Sequence, residues 1–121
     1  MTQEHFIPYP LKFEPIFKEK VWGGHNLKTL FGKNLPPKKK IGETWEISAF
    51  GQDISIVADG PYKGQLFTDL IRKFGKQFVG YDIYQRFGDK FPLLYKLIDA
   101  HEPFSIQVHP SDAFAIEFED G

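Results

Sequence analysis

One stretch constrains the fold more than any other: Phe91-Pro-Leu-Leu-Tyr-Lys-Leu-Ile-Asp-Ala100, a turn at His101-Glu-Pro103, then Phe104-Ser-Ile-Gln-Val-His-Pro110. Successive side chains of a β-strand point to opposite faces. On that period Leu93, Tyr95 and Leu97 share one face, and Leu94, Lys96 and Ile98 the other. Both faces are mostly apolar, so Pro92 to Ala100 reads as a strand buried on both sides. The next segment reads as a strand with unlike faces, Phe104, Ile106 and Val108 against Ser105, Gln107 and His109. So short a turn makes the two strands hairpin neighbours.

The rest of the chain fits strands around a helical block. Leu11, Phe13, Pro15 and Phe17 alternate with Lys12, Glu14 and Ile16, which predicts a strand that Pro15 assigns to an edge. Trp22-Gly23-Gly24 breaks that pattern, and a short helix over Leu27 to Phe31 is closed by Gly32. Gly42 to Ile47 and Ile54 to Ala58 read as two more strands, the second stopped by Asp59-Gly60-Pro61. The period then changes. Leu66, Leu70, Ile71 and Phe74 fall on one helical face ended by Gly75, and a weaker helical stretch lies between Lys76 and Phe87. After Pro110, Ser111 or Asp112 caps a short helix through Phe114 and Ile116. The order predicts one mainly β domain with a helical insertion over residues 1–121.

Composition excludes several function classes. Net charge is -1 and the sequence pI about 6.4, which gives no footprint for nucleic acid or an anionic membrane surface. Lys38-Lys39-Lys40 follows Pro36-Pro37 and reads as a solvated loop. The absence of cysteine excludes disulfides and thiolate metal ligands and suits the cytoplasm. No apolar run reaches membrane-spanning length, and Met1-Thr-Gln-Glu-His-Phe6 lacks the character of a signal peptide. Thirteen phenylalanines call for a thick core or a pocket wall.

Few residues carry chemistry. An imidazole two positions from an amide oxygen, His109 and Gln107, can give a divalent metal two ligands from one strand; the plainer reading is a wet strand face. Lys96 places an ammonium within an apolar strand, which is costly unless it is paired, faces a polar cavity, or snorkels from a sheet edge. If the two strands pair, Lys96 and the Gln107/His109 pair line one cavity. Glu43 shares a face with Trp45 and Ile47, as a pocket carboxylate or as a strand-end residue reaching water. Trp22 is a pocket wall or a core aromatic, and His5, His25 and His101 fall in loops or termini. Phosphate-cradling glycine loops, nucleophile elbows and paired metal-binding histidine motifs are absent.

Several blocks together resemble the type I mannose-6-phosphate isomerases, zinc enzymes of the cupin superfamily. Leu11-Lys-Phe-Glu-Pro15 with Lys18-Glu-Lys-Val-Trp-Gly-Gly24 is similar to the family's opening block, and Gly42-Glu-Thr-Trp-Glu-Ile-Ser48 to its second. The most specific part is Phe91 to Ala100 followed by Pro103-Phe-Ser-Ile-Gln-Val-His-Pro110.

The resemblance implies a cupin or jelly-roll-like fold, incomplete here, and interconversion of mannose 6-phosphate and fructose 6-phosphate. It implies a Zn2+ held by Gln, His, Glu and a second His, of which Gln107 and His109 match the first two. Lys96 matches an active-site lysine associated with sugar binding and ring opening. The family's third ligand lies on a strand after the helix that follows His-Pro, and Glu117 and Glu119 do not match it. The chain is therefore expected to be an N-terminal part of such an enzyme, with little activity and weak zinc binding on its own. The alternative is a non-catalytic cupin-like module that binds sugar or serves structurally. A cupin oxygenase fits less well, because position 107 is Gln where such enzymes place a histidine.

Overall fold

The computed structural model describes residues 4–118. Its elements are β1 (Ile16–Gly24), α1 (Asn26–Phe31), β2 (Ile41–Ile47), β3 (Ala49–Phe50), β4 (Asp53–Ile54), α2 (Phe67–Phe74), α3 (Lys76–Val79), α4 (Tyr81–Phe87), β5 (Tyr95–Ile98) and α5 (Asp112–Phe118). One antiparallel sheet has the order β1-β2-β5, and β3 and β4 form a separate two-stranded ribbon. The expected plan of sheet and helical insertion is present. Glu119, Asp120 and Gly121 lie outside the described residues.

β2 is the central strand and its register sets both faces. Trp45 stands opposite Ile16 and Lys96, Thr44 opposite Phe17 and Leu97, and Glu43 opposite Lys18 and Ile98. Between Lys18 and Glu19 the partner jumps from Glu43 to Ile41, which leaves Gly42 as an extra residue, a β-bulge. The bulge turns Ile41 onto the face of Phe17 and Leu97. There it forms a core with Leu27 and Leu35. Thr44, on this face, is fully buried and donates to Glu46 Oε1 at 2.9 Å, which Lys33 also meets at 2.7 Å.

Two sequence expectations for β1 are corrected. Its strand does not cover Leu11 to Phe17 but begins at Ile16, with Phe13 making only a bridge to Val57. Before Ile16 the chain leaves β2 and runs beside residues 56–58 instead, where Glu14 N donates to Ile56 O at 2.9 Å and Ala58 N to Lys12 O at 2.8 Å. Nor do Trp22-Gly23-Gly24 end the strand; Ile41 pairs with both Glu19 and Gly24, so β1 folds across the start of β2. A Cβ on Gly23 would lie 2.5 Å from the Ile41 carbonyl carbon and closer still to Gly42 N. Glycine here permits two backbones to pass in contact.

The helical insertion follows its periodicity closely. Phe67, Leu70, Ile71 and Phe74 of α2 are buried, while Leu66 sits at the N-cap position, outside the helix. Each buried Leu or Ile contributes about 1.5–3 kcal/mol relative to exposure. Leu70 and Phe74 pack with Val57 and Tyr62, and Phe6, Tyr9, Leu11 and Phe13 close over them. Much of the phenylalanine load sits here: Phe67 meets Phe13, Phe78 and Phe91 at ring separations of 4.9, 5.8 and 4.8 Å. The weaker stretch divides at Gly80 (φ 90°) into α3 and α4. Gly32, in the left-handed region at φ 65°, closes α1 as expected.

The end of the chain departs most from expectation. β5 spans only Tyr95–Ile98 and is an edge strand, with Tyr95 60% and Ile98 54% exposed. Burial on both faces requires a covering layer on each side, and the described residues supply one. Residues 99–111 form no strand, so the predicted hairpin with β5 is absent. α5 does form, and Ser111 Oγ accepts from Phe114 N at 3.3 Å, as a capping residue should.

Candidate functional site

The bulge at Gly42 puts Glu43 and Trp45 on the sheet face opposite the Ile41 core. Both are shared with Lys96 of β5, which lies beside Trp45 and diagonal to Glu43. Glu43 is 9% exposed, and both its oxygens are engaged. Oε2 accepts from Trp45 Nε1 at 2.8 Å and Oε1 from Lys96 Nζ at 3.2 Å. Burial pushes the Glu43 carboxyl up, but the hydrogen bonds from Trp45 and Lys96 and the charges of Lys96 and Lys20 outweigh it. The group therefore titrates below its ordinary value and stays ionised.

Lys96 is thus neither an unpaired core charge nor a purely snorkelling edge lysine. Its side chain is 34% exposed, and Glu43 is its one ion-pair partner among the described residues. An ammonium has three donors, so the remaining two are available to an incoming oxygen. Beyond Trp45, Lys18 Nζ lies 4.3 Å from the indole centroid and 2.7 Å from Asp53 Oδ2. Lys18 and Asp53 were invisible as partners in the sequence, because only the register brings them to Trp45.

Gln107 and His109 are exposed on the irregular segment after β5, and no strand pairing joins them to Lys96. The apolar residues that alternate with them do not pack inward: Ile106 is 98% and Val108 89% exposed. His109 Nδ1 lies 3.0 Å from the Pro110 carbonyl oxygen. With the proton on Nδ1 that contact is a hydrogen bond, and Nε2 keeps its lone pair. The entry of the segment is anchored: Phe104 packs on Trp22 at 4.6 Å between centroids, and Glu102 N donates to Trp22 O at 3.0 Å. Trp22 therefore joins β1 to this segment. Among the described residues no three His, Asp or Glu side chains cluster in a way that could hold a metal ion. No described helix is long and apolar enough to cross a membrane.

Residues 11–119 match the family model of the phosphomannose isomerase type I catalytic domain. The chain belongs to this family. The putative mannose-6-phosphate isomerase YvyI of Bacillus subtilis (strain 168) is 45% identical over 112 residues, 93% of this chain and 34% of YvyI. The mannose-6-phosphate isomerase ManA of the same organism is 40% identical over 93% of this chain and 33% of ManA. A crystal structure of the mannose 6-phosphate isomerase from Bacillus subtilis aligns with a TM-score of 0.75 at 42% identity, covering 93% of this chain and 34% of that one. The sheet with its helical insertion is accordingly a partial cupin. The chain spans about a third of the length of the curated relatives it matches.

Proposed function

We propose that the protein carrying this sequence is an isomerase that interconverts mannose 6-phosphate and fructose 6-phosphate. The observation that carries the reading is the Lys96 ammonium, held by buried Glu43 with donors to spare, in a chain that matches the isomerase family along residues 11–119. Aldose–ketose exchange moves a proton between neighbouring carbons through an enediol, and charge develops on the sugar oxygens. Lys96 is the group that donates to the ring oxygen or carbonyl as the ring opens, which lowers the cost of that charge.

A zinc ion belongs to the same reading. The donor chemistry of Gln107 and His109 fits it: an amide oxygen and an imidazole whose Nδ1 faces a backbone carbonyl. The described residues supply these two donors and no acidic or histidine cluster beside them, so further ligands belong to other parts of the protein. When bound, zinc would act as a Lewis acid towards the sugar oxygens. Gln107 and His109 would hold that ion, and Lys96 would orient the sugar.

The test is a coupled assay on the complete protein, with metal content measured on the same preparations. Wild type turns over mannose 6-phosphate, Lys96→Ala loses turnover while keeping its metal, and His109→Ala and Gln107→Ala lose both. Intact metal content and function in the last two variants would overturn the zinc assignment. A metal-loaded wild type with no turnover would favour a non-catalytic sugar-binding module.

A further inference from the structure

We propose that Glu43 is a positioning residue for Lys96, itself fixed by Trp45. The proposal rests on the isomerase reading above for its kinetic consequence, but not for its geometry. Trp45 and Glu43 are two residues apart on one face of β2, and the indole N–H takes Oε2 at 2.8 Å. That contact fixes the carboxylate plane. It leaves Oε1 for Lys96 at the longer distance of 3.2 Å.

The strength of the arrangement comes from where each group sits. β2 is the central strand, so Glu43 and Trp45 are held on both sides by ladders to β1 and β5. Lys96 is on an edge strand, with a flexible stem and a partly open head group. Unpaired, that stem would sample many rotamers. The charged contact to a fixed acceptor selects those that keep Nζ above the sheet face. A carboxylate this buried has few alternatives to the pair, because the described residues offer it only Trp45 and Lys96 as hydrogen-bond donors. Lys18 is turned the other way. It stacks on Trp45 and pairs with Asp53, so it braces the indole and does not compete for Glu43. The chain of contacts runs Asp53, Lys18, Trp45, Glu43, Lys96, from the β4 ribbon to the sheet edge.

Glu43→Gln keeps the shape and removes the charge, Glu43→Asp keeps the charge and shortens the reach, and Trp45→Phe removes the indole donor while keeping a smaller aromatic ring. In the complete protein, Glu43→Gln is expected to lower kcat for mannose 6-phosphate by about tenfold to a hundredfold with KM little changed. Glu43→Asp recovers part of that loss, and Trp45→Phe loses less than Glu43→Gln. A second readout is independent of activity: the acylation rate of Lys96 by an amine-reactive ester, followed by mass spectrometry of the Lys96 peptide. It rises severalfold in Glu43→Gln and to a smaller extent in Trp45→Phe, while labelling of Lys76 stays constant. An unchanged Lys96 labelling rate in both variants, or an unchanged kcat in folded Glu43→Gln, would overturn the proposal. If the wild type itself does not isomerise the sugar, the functional reading fails, and the labelling rates alone decide whether Glu43 positions Lys96.

Discussion

Asp99 and Asn26 are joined twice across the fold: Oδ2 accepts from the Asn26 backbone N–H at 2.9 Å, and Oδ1 from its Nδ2 at 3.1 Å. α1 begins at Asn26 and has no side-chain cap from its own N-cap residue. Asp99, just past β5, does that work from a distance and is only 6% exposed. Asp99→Ala leaves a helix-terminal donor without its charged acceptor. The expected loss is about 1.5–3 kcal/mol, read from urea denaturation midpoints.

The Glu43 site makes stability depend on pH in a defined direction. Its carboxyl is held below its ordinary value of 4.5 by Trp45, Lys96 and Lys20, against the upward push of burial. A carboxyl with a lowered folded-state value contributes stability that is complete above the unfolded value and lost as pH falls through the folded one. Wild type should therefore lose stability faster than Glu43→Gln as the pH drops below about 4.5. Parallel urea midpoints, taken from neutral pH downward, would contradict this if the two curves stayed parallel.

The crossing of β1 over β2 predicts an unusually severe effect from one methyl group. Gly23→Ala sets a Cβ against the backbone of Ile41 and Gly42, which cannot swing aside as a flexible side chain would. A destabilisation of about 1–3 kcal/mol follows from overpacking of this kind. A variant as stable as wild type in thermal melts would mean that β1 does not pass so close.

Core and surface leucines should separate cleanly. Leu70 is fully buried against Val57, Tyr62 and Phe74, whereas Leu30 on α1 is 72% exposed. Leu70→Ala should cost about 2–5 kcal/mol through lost contacts and a residual cavity. Leu30→Ala should fall within about 0.5 kcal/mol of wild type. The comparison is made by denaturant titration under one set of conditions.

What the sequence revealed followed from how local each signal is. The α2 face, the stop at Gly32 and the Ser111 cap are set by neighbours a turn away, and periodicity or capping chemistry identifies them. β1 and β5 depend on residues far along the chain, so alternation misplaced the start of one and overstated the burial of the other. The same holds for the site. Lys96 and Glu43 each stood out as a charge in apolar surroundings, but their pairing needed the register of β2 against β5. The alternation around Gln107 and His109 suggested a strand, and alternation without a ladder leaves an exposed segment.

The extra residue at Gly42 acts as a phase shift in the alternation of β2. Ile41 and Glu43 have the same parity along the chain, yet one is sealed in the core and the other faces Lys96. The bulge is therefore what lets two residues of equal parity serve opposite faces of the sheet. Were β2 to pair without the bulge at unchanged length, the two would fall on one face, so that keeping Ile41 inside would carry the Glu43 carboxylate in with it, and keeping Glu43 outside would expel Ile41.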